Sequence, residues 1–202
     1  MMRAVERLMN RAALPVHFSQ GFNPRAIMSL VLPRPVSVAS LADLLVIGLD
    51  TPVEPEHLLS RLNEHSPQGL RALRAVQLPP GVRPRALRVD FQLTLEDSQV
   101  SGVTQRLAQL RAQDAWPIVR PGKDDLGPKA IDLRTLVADV ALREQTLTLS
   151  LSPQGEAWAR PGEVLELLGL DARVDLAKLV RVEVDYGLAQ LQQASLTQPP
   201  IF

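Results

Sequence analysis

The run Pro79-Pro80-Gly81-Val82-Arg83-Pro84 limits the fold of this chain more than any other stretch. Proline has no amide hydrogen and a fixed φ, so neither a helix nor a central strand continues through three of them. The run is read as a linker that divides the 202 residues into two segments, each large enough for one small core. Residues 1–80 form the first, residues 86–187 the second, and residues 188–202, which lose all periodicity, a tail.

The second segment opens on the clearest strand. Val89, Phe91, Leu93 and Leu95 alternate with Arg88, Asp90, Gln92 and Thr94. Val100, Val103, Leu107 and Leu110 recur at helical spacing, and Trp116–Arg120 reads as a short strand before a polar loop over 121–129. Residues 136–143 and 146–152 alternate on either side of Glu144-Gln145, the pattern of a hairpin. Pro161 opens a helix that Gly169 closes, and Val180, Val182, Val184 and Tyr186 make one face of a last strand.

The first segment repeats this order without its opening strand. It predicts a helix over 2–13, a strand at 16–19, a polar loop, strands at 27–32 and 44–49, a helix from Pro55 and a strand over 70–78. Strand–helix–strand–strand–helix–strand is the ferredoxin-like arrangement. The expected fold is therefore α+β, with two tandem ferredoxin-like halves. Met1 and Met2 lie inside a helical pattern with no capping residue ahead, so a further strand is expected before Met1 in the complete gene product.

Charge separates the halves. Lys+Arg and Asp+Glu both total 22, yet residues 1–89 hold 11 basic against 6 acidic residues and residues 90–202 hold 11 against 16. Every basic residue in the first part is Arg, whose planar fork suits phosphate and carboxylate. Zero Cys excludes disulfides, zinc ribbons and thiolate-held iron–sulfur clusters. His17, His57 and His65 lack metal-ligand spacing, so neither metal nor cofactor is expected. No signal pattern or long apolar run occurs, and the expectation is a cytoplasmic protein with no membrane segment. Aromatic residues are only 3% of the chain, which leaves few platforms for stacking bases.

Three segments carry candidate chemistry. Arg3, Arg7 and Arg11 form one stripe on the first helix, either simply solvated or an anion site joined by Arg25 and Arg34. The loop Ser19-Gln20-Gly21-Phe22-Asn23-Pro24-Arg25 combines hydrogen-bonding groups, a flat ring, a permissive glycine and a cation. That mix suits single-stranded RNA, while the alternative is that Phe22 plugs the core and the polar groups close a tight turn. Arg120, Lys123, Lys129 and Arg134 would extend an RNA path, or merely solvate a loop. His17 is the one histidine beside the loop and could act as base toward a ribose hydroxyl, although no second acid–base group is identifiable.

At Arg3-Ala4-Val5-Glu6-Arg7, Pro15–Arg25 and Leu32-Pro33-Arg34-Pro35 the chain resembles the radical-SAM-linked protein family. Looser likeness continues at 129–134 and 160–165. The resemblance implies a domain found beside, or fused to, radical SAM enzymes, and a radical SAM protein as partner. Without cysteines this chain cannot itself be that enzyme. The expected function is a non-catalytic RNA-binding or substrate-presenting accessory protein in RNA modification. The alternatives are a metal-independent ribonuclease using His17 and a protein-only scaffold.

Overall fold

The computed structural model describes residues 2–122 and 127–188, which form a mixed α+β protein. The chain divides into two compact units. The first is built from residues up to Val31 and from Leu44–Arg83, the second from Leu32–Asp43 and Pro84–Leu188.

In the first unit, helix α1 (Met2–Arg11) buries Val5, Leu8 and Met9 on one stripe. It is shorter than its periodicity predicts because Ala13 turns to φ 50° and Pro15 follows. Strand β1 (Met28–Leu30) leads into the excursion Leu32–Asp43, which carries β2 (Ala39–Ser40), and β3 (Leu45–Ile47) then pairs antiparallel with β1. Helix α2 (Pro55–His65) opens on proline, as its sequence predicts, and buries Leu62.

Two expected strands are not regular here. Residues 16–19 make only isolated bridges, Val16 to Leu49 and Phe18 to Ala26. Residues 70–78 are irregular, because no strand lies beside them within the unit. Their backbone finds a side chain instead: Asn63 accepts from the Ala72 amide and donates to its carbonyl, both at 2.9 Å. One amide side chain thus does at Ala72 what a neighbouring strand would do along its whole length.

The second unit holds β4 (Arg88–Thr94), α3 (Asp97–Arg111), β5 (Pro117–Arg120), β6 (Lys129–Asp132), β7 (Val137–Arg143), β8 (Thr146–Leu151), α4 (Pro161–Leu167), α5 (Ala172–Asp175) and β9 (Val180–Asp185). Its sheet runs β2-β9-β4-β8-β7, with β2 parallel to β9 and the other neighbours antiparallel. Val89, Phe91 and Leu93 of β4, with Leu147, Leu149 and Leu151 of β8, pack against Val103, Leu107, Val164 and Leu165 of the helices. β6 replaces part of the expected polar loop: Ile118 and Ile131 face each other across a β5–β6 hairpin.

The face expected for β9 is interrupted by a bulge. Asp90 pairs with Glu183 and Phe91 with Arg181, so Val182 is skipped and Arg181 turns to the core side. Arg181 is 1% exposed, and its guanidinium lies 5.8 Å from the Phe91 ring centroid. Its Nη1 donates to the Leu32 carbonyl at 2.8 Å and to Asp43 at 3.0 Å, and Nη2 donates to the Pro33 carbonyl at 3.3 Å. Burial pushes the Arg181 pKa down, and Asp43 pulls it back toward its ordinary value. Arginine keeps its proton in such a site. The cation thus ties both ends of Leu32–Asp43 to β9, and Tyr186 adds a bond from its hydroxyl to the Ala42 carbonyl at 2.8 Å.

Removing one member of a buried pair strands the other. Arg181→Met is expected to lower stability by about 3 kcal/mol, the low end for a broken buried ion pair because Asp43 keeps some access to water. Urea unfolding reads the loss, and hydrogen exchange should show the Leu41 amide, which donates to the Arg181 carbonyl, exchanging early. Unchanged stability with unchanged Leu41 protection would show that the guanidinium does not hold the excursion.

Candidate nucleic-acid interface

The loop 19–25 is built on a short irregular ladder. The His17 amide donates to the Gly48 carbonyl at 2.9 Å, and the Ile27 amide donates to the His17 carbonyl at 2.7 Å. The Phe18–Ala26 bridge closes the base of the loop. Above it the Ser19 amide donates to the Arg25 carbonyl at 2.8 Å, and the Arg25 amide donates to Ser19 Oγ at 3.0 Å. These two bonds hold Gln20–Pro24 as a pinned tip rather than a free loop. Gly21 at the tip sits at φ 136°, a conformation that side chains other than hydrogen rarely adopt.

That geometry decides the question of Phe22. Its ring is fully exposed, at 107% relative accessibility, so it is not a core plug. Phe18, at 45%, and Ile27, at 46%, are exposed at the base of the loop. Gln20, Asn23, Pro24 and Arg25 are exposed or nearly so. The tip therefore presents a ring, a cation and amide groups together.

His17 lies at the base of the same loop, with Nδ1 2.5 Å from Asp50 Oδ1 and both side chains about half exposed. Asp50 is not predicted from the sequence because it is 33 residues away in the chain. Two backbone bonds place it: the His17 amide to the Gly48 carbonyl, and the Asp50 amide to the Pro15 carbonyl at 2.8 Å. A carboxylate beside Nδ1 favours a proton on that nitrogen and orients the ring.

The predicted arginine stripe splits by role. Arg3 and Arg7 are exposed and carry no ion pair among the described residues. Arg11 instead donates through Nε and Nη2 to the His65 carbonyl at 3.3 and 2.9 Å, at the end of α2. Arg61, which no sequence motif singles out, returns the contact to the Ala12 carbonyl at 3.2 and 2.9 Å. Each arginine satisfies the carbonyl end of the other helix, where cations are favourable.

The remaining candidates belong to the second unit. Arg34 lies 3.9 Å from Asp43 within the Leu32–Asp43 excursion. Arg134 donates to the Gln113 carbonyl at 2.7 Å and lies 3.6 Å from Asp114. Arg120 is forked onto Glu163, with two bonds of 2.6 Å, and donates to the Trp158 carbonyl. Lys129 is exposed on β6, and Lys123 lies outside the described residues. Among the described residues, no group of three or more His, Asp or Glu is placed to hold a metal ion. No helix among them is long and apolar enough to cross a membrane.

The family model described as "Uncharacterized protein conserved in bacteria (DUF2344)" matches residues 1–161. The chain belongs to this family. No curated protein matches it. The matched span contains the whole 19–25 loop, the His17–Asp50 pair and the Arg120 side of the second unit, and it stops before Glu163 and Arg181.

The pinned tip gives a direct test. Gly21→Ala meets no neighbouring atom, so its cost is backbone strain alone, about 1–3 kcal/mol. Asn23→Ala, at an exposed position, should cost less than about 0.5 kcal/mol. Chemical denaturation of both variants measures the difference, and equal stabilities would mean that the tip is not held at Gly21.

Proposed function

We propose that this protein is a non-catalytic RNA-binding or substrate-presenting accessory protein that works with a radical SAM enzyme in RNA modification. The observation that carries the reading is Phe22, fully exposed at the tip of a loop pinned by Ser19 and Arg25. Bases in single-stranded RNA stack on such rings, and a neighbouring arginine meets the phosphate. Phe18 supplies a second ring at the base of the same loop, in a chain with only four Phe. The excess of arginine in residues 1–89 supports a polyanionic ligand here.

The radical SAM partner rests on the resemblance at residues 3–7, 15–25 and 32–35. With no cysteine in the chain, the cluster belongs to the partner. We read the second unit as one ferredoxin-like half, supported by the antiparallel order β9-β4-β8-β7 with helices after β4 and β8. The first unit is its incomplete counterpart, supported by the sequence of helix, paired strands and helix.

Fluorescence anisotropy with a single-stranded oligoribonucleotide tests the binding. One stacked base is worth about 1–3 kcal/mol, so Phe22→Ser should weaken affinity about fivefold or more. Replacing Arg3, Arg7 and Arg25 together by Gln should flatten the salt dependence, by about 0.7 in slope for each phosphate that is no longer neutralised. Equal affinity and equal slope in both variants would remove RNA from this surface and favour a protein-only scaffold.

The His17–Asp50 pair favours a second reading, a metal-independent ribonuclease in which His17 takes the proton of a ribose hydroxyl. The leaving oxygen also needs an acid, and the one titratable group paired with His17 among the described residues, Asp50, is taken up by its Nδ1. Purified protein in EDTA is therefore expected to leave RNA intact. Cleavage that disappears in His17→Ala would replace the accessory reading with this one.

A further inference from the structure

We propose that a cleft in the second unit binds a small apolar molecule carrying one anionic group, at a site separate from the 19–25 loop. The cleft has a volume of about 680 Å³, within the range of small-ligand sites, and all its walls belong to that unit. Proline-rich segments make two of them, Leu32-Pro33 with Pro35 on one side and Arg160-Pro161-Gly162 on the other. Such walls lose little conformational freedom when a ligand binds. Phe91, Leu151 and Trp158 give the interior its apolar surface.

The polar groups decide the class of ligand. Four arginines line the cleft, Arg106, Arg120, Arg160 and Arg181, against two carboxylates, Glu163 and Glu166. Arg120 is consumed by Glu163, and Arg106 donates to the Leu167 carbonyl and to Gln109. Arg160 differs, because its side chain is 70% exposed and reaches Glu163 only at 3.9 Å. Arg181 is the deeper cation. Its two Nη groups are satisfied by Asp43 and two carbonyls, yet its buried Nε–H has no acceptor. That Nε is closed to solvent, so Arg181 contributes its charge to the cleft rather than a further hydrogen bond. An anionic oxygen held by Arg160, in the field of the buried Arg181 and with an apolar body against Trp158, fits these features.

The chain holds two tryptophans, which makes the experiment local. Trp158 lines the cleft, whereas Trp116 is buried with its indole N–H donating to the Leu110 carbonyl at 2.9 Å. Naphthoate is titrated into the full chain while both indole N–H signals are followed by NMR, and the neutral naphthalene carboxamide serves as the comparison. A saturable shift of Trp158, with Trp116 unmoved, is expected with naphthoate. A bond to a charged partner is worth about 1.5–3 kcal/mol, so the carboxamide should bind at least about tenfold more weakly. Arg160→Gln, at an exposed position that leaves the core intact, should weaken naphthoate by about two- to fivefold and leave the carboxamide unchanged. Absence of a Trp158 shift at millimolar naphthoate, or equal binding of the two compounds, would overturn the proposal. So would an identical loss for both compounds in Arg160→Gln.

Discussion

The second unit depends on one buried cation. Arg181 stands in the β9 row where the alternation of Val180, Val182 and Val184 places a solvent-facing side chain, and a bulge at Val182 turns it inward. A charge taken out of water must be paired and hydrogen-bonded, or its burial costs several kcal/mol. The groups that meet this demand are the Leu32 and Pro33 carbonyls and Asp43, the two ends of one excursion. The same contacts bring β2 alongside β9, where Ala39 pairs with Val180 and Ser40 with Arg181. Without the cation, β2 would keep its edge position only through the Leu41–Arg181 backbone bond, the Tyr186–Ala42 bond and the buried Val38 beside it.

The first unit is organised differently. Its helices exchange arginines at their carbonyl ends, Arg11 to His65 and Arg61 to Ala12, so cations that look like a ligand-binding stripe include one committed to the fold. What remains outward is concentrated at the 19–25 loop. Backbone bonds fix the tip, glycine permits its turn, and the ring of Phe22 is left in water. A rigid loop that presents a ring loses less entropy on binding than a loose one, which is how a short segment can make a useful contact. His17 and Asp50 add an oriented imidazole at the base.

Much of this is legible in the sequence where the pattern is local. The alternation of Val89 to Leu95, the hairpin about Glu144-Gln145 and the helices beginning at Pro55 and Pro161 all follow from neighbouring residues and appear in the structure. The loop 19–25 stands out by composition, although its exposure does not, since a phenylalanine between glycine and asparagine fits both a plug and a platform. What escapes depends on distant residues. Residues 70–78 have the apolar content of a strand but no partner within the unit, and Asn63 is a signal that no periodicity carries. Residues 121–129 read as a polar loop, yet Lys129 opens β6, where Asp132 accepts from the Trp116 amide and fixes a hairpin with β5. Arg181 and Asp43 are 138 residues apart, so their pairing leaves no local trace.

The central claim is that the 19–25 tip touches single-stranded RNA. Photo-crosslinking of a thiouridine-containing oligoribonucleotide to the purified chain, followed by tryptic digestion and mass spectrometry, tests it at residue level. Trypsin releases Ala12–Arg25 as one peptide, which contains Phe18, Phe22 and His17. The main adduct is expected on this peptide, at or beside Phe22, and should disappear in Phe22→Ser. Adducts confined to peptides of residues 84–188, with none on Ala12–Arg25, would contradict it.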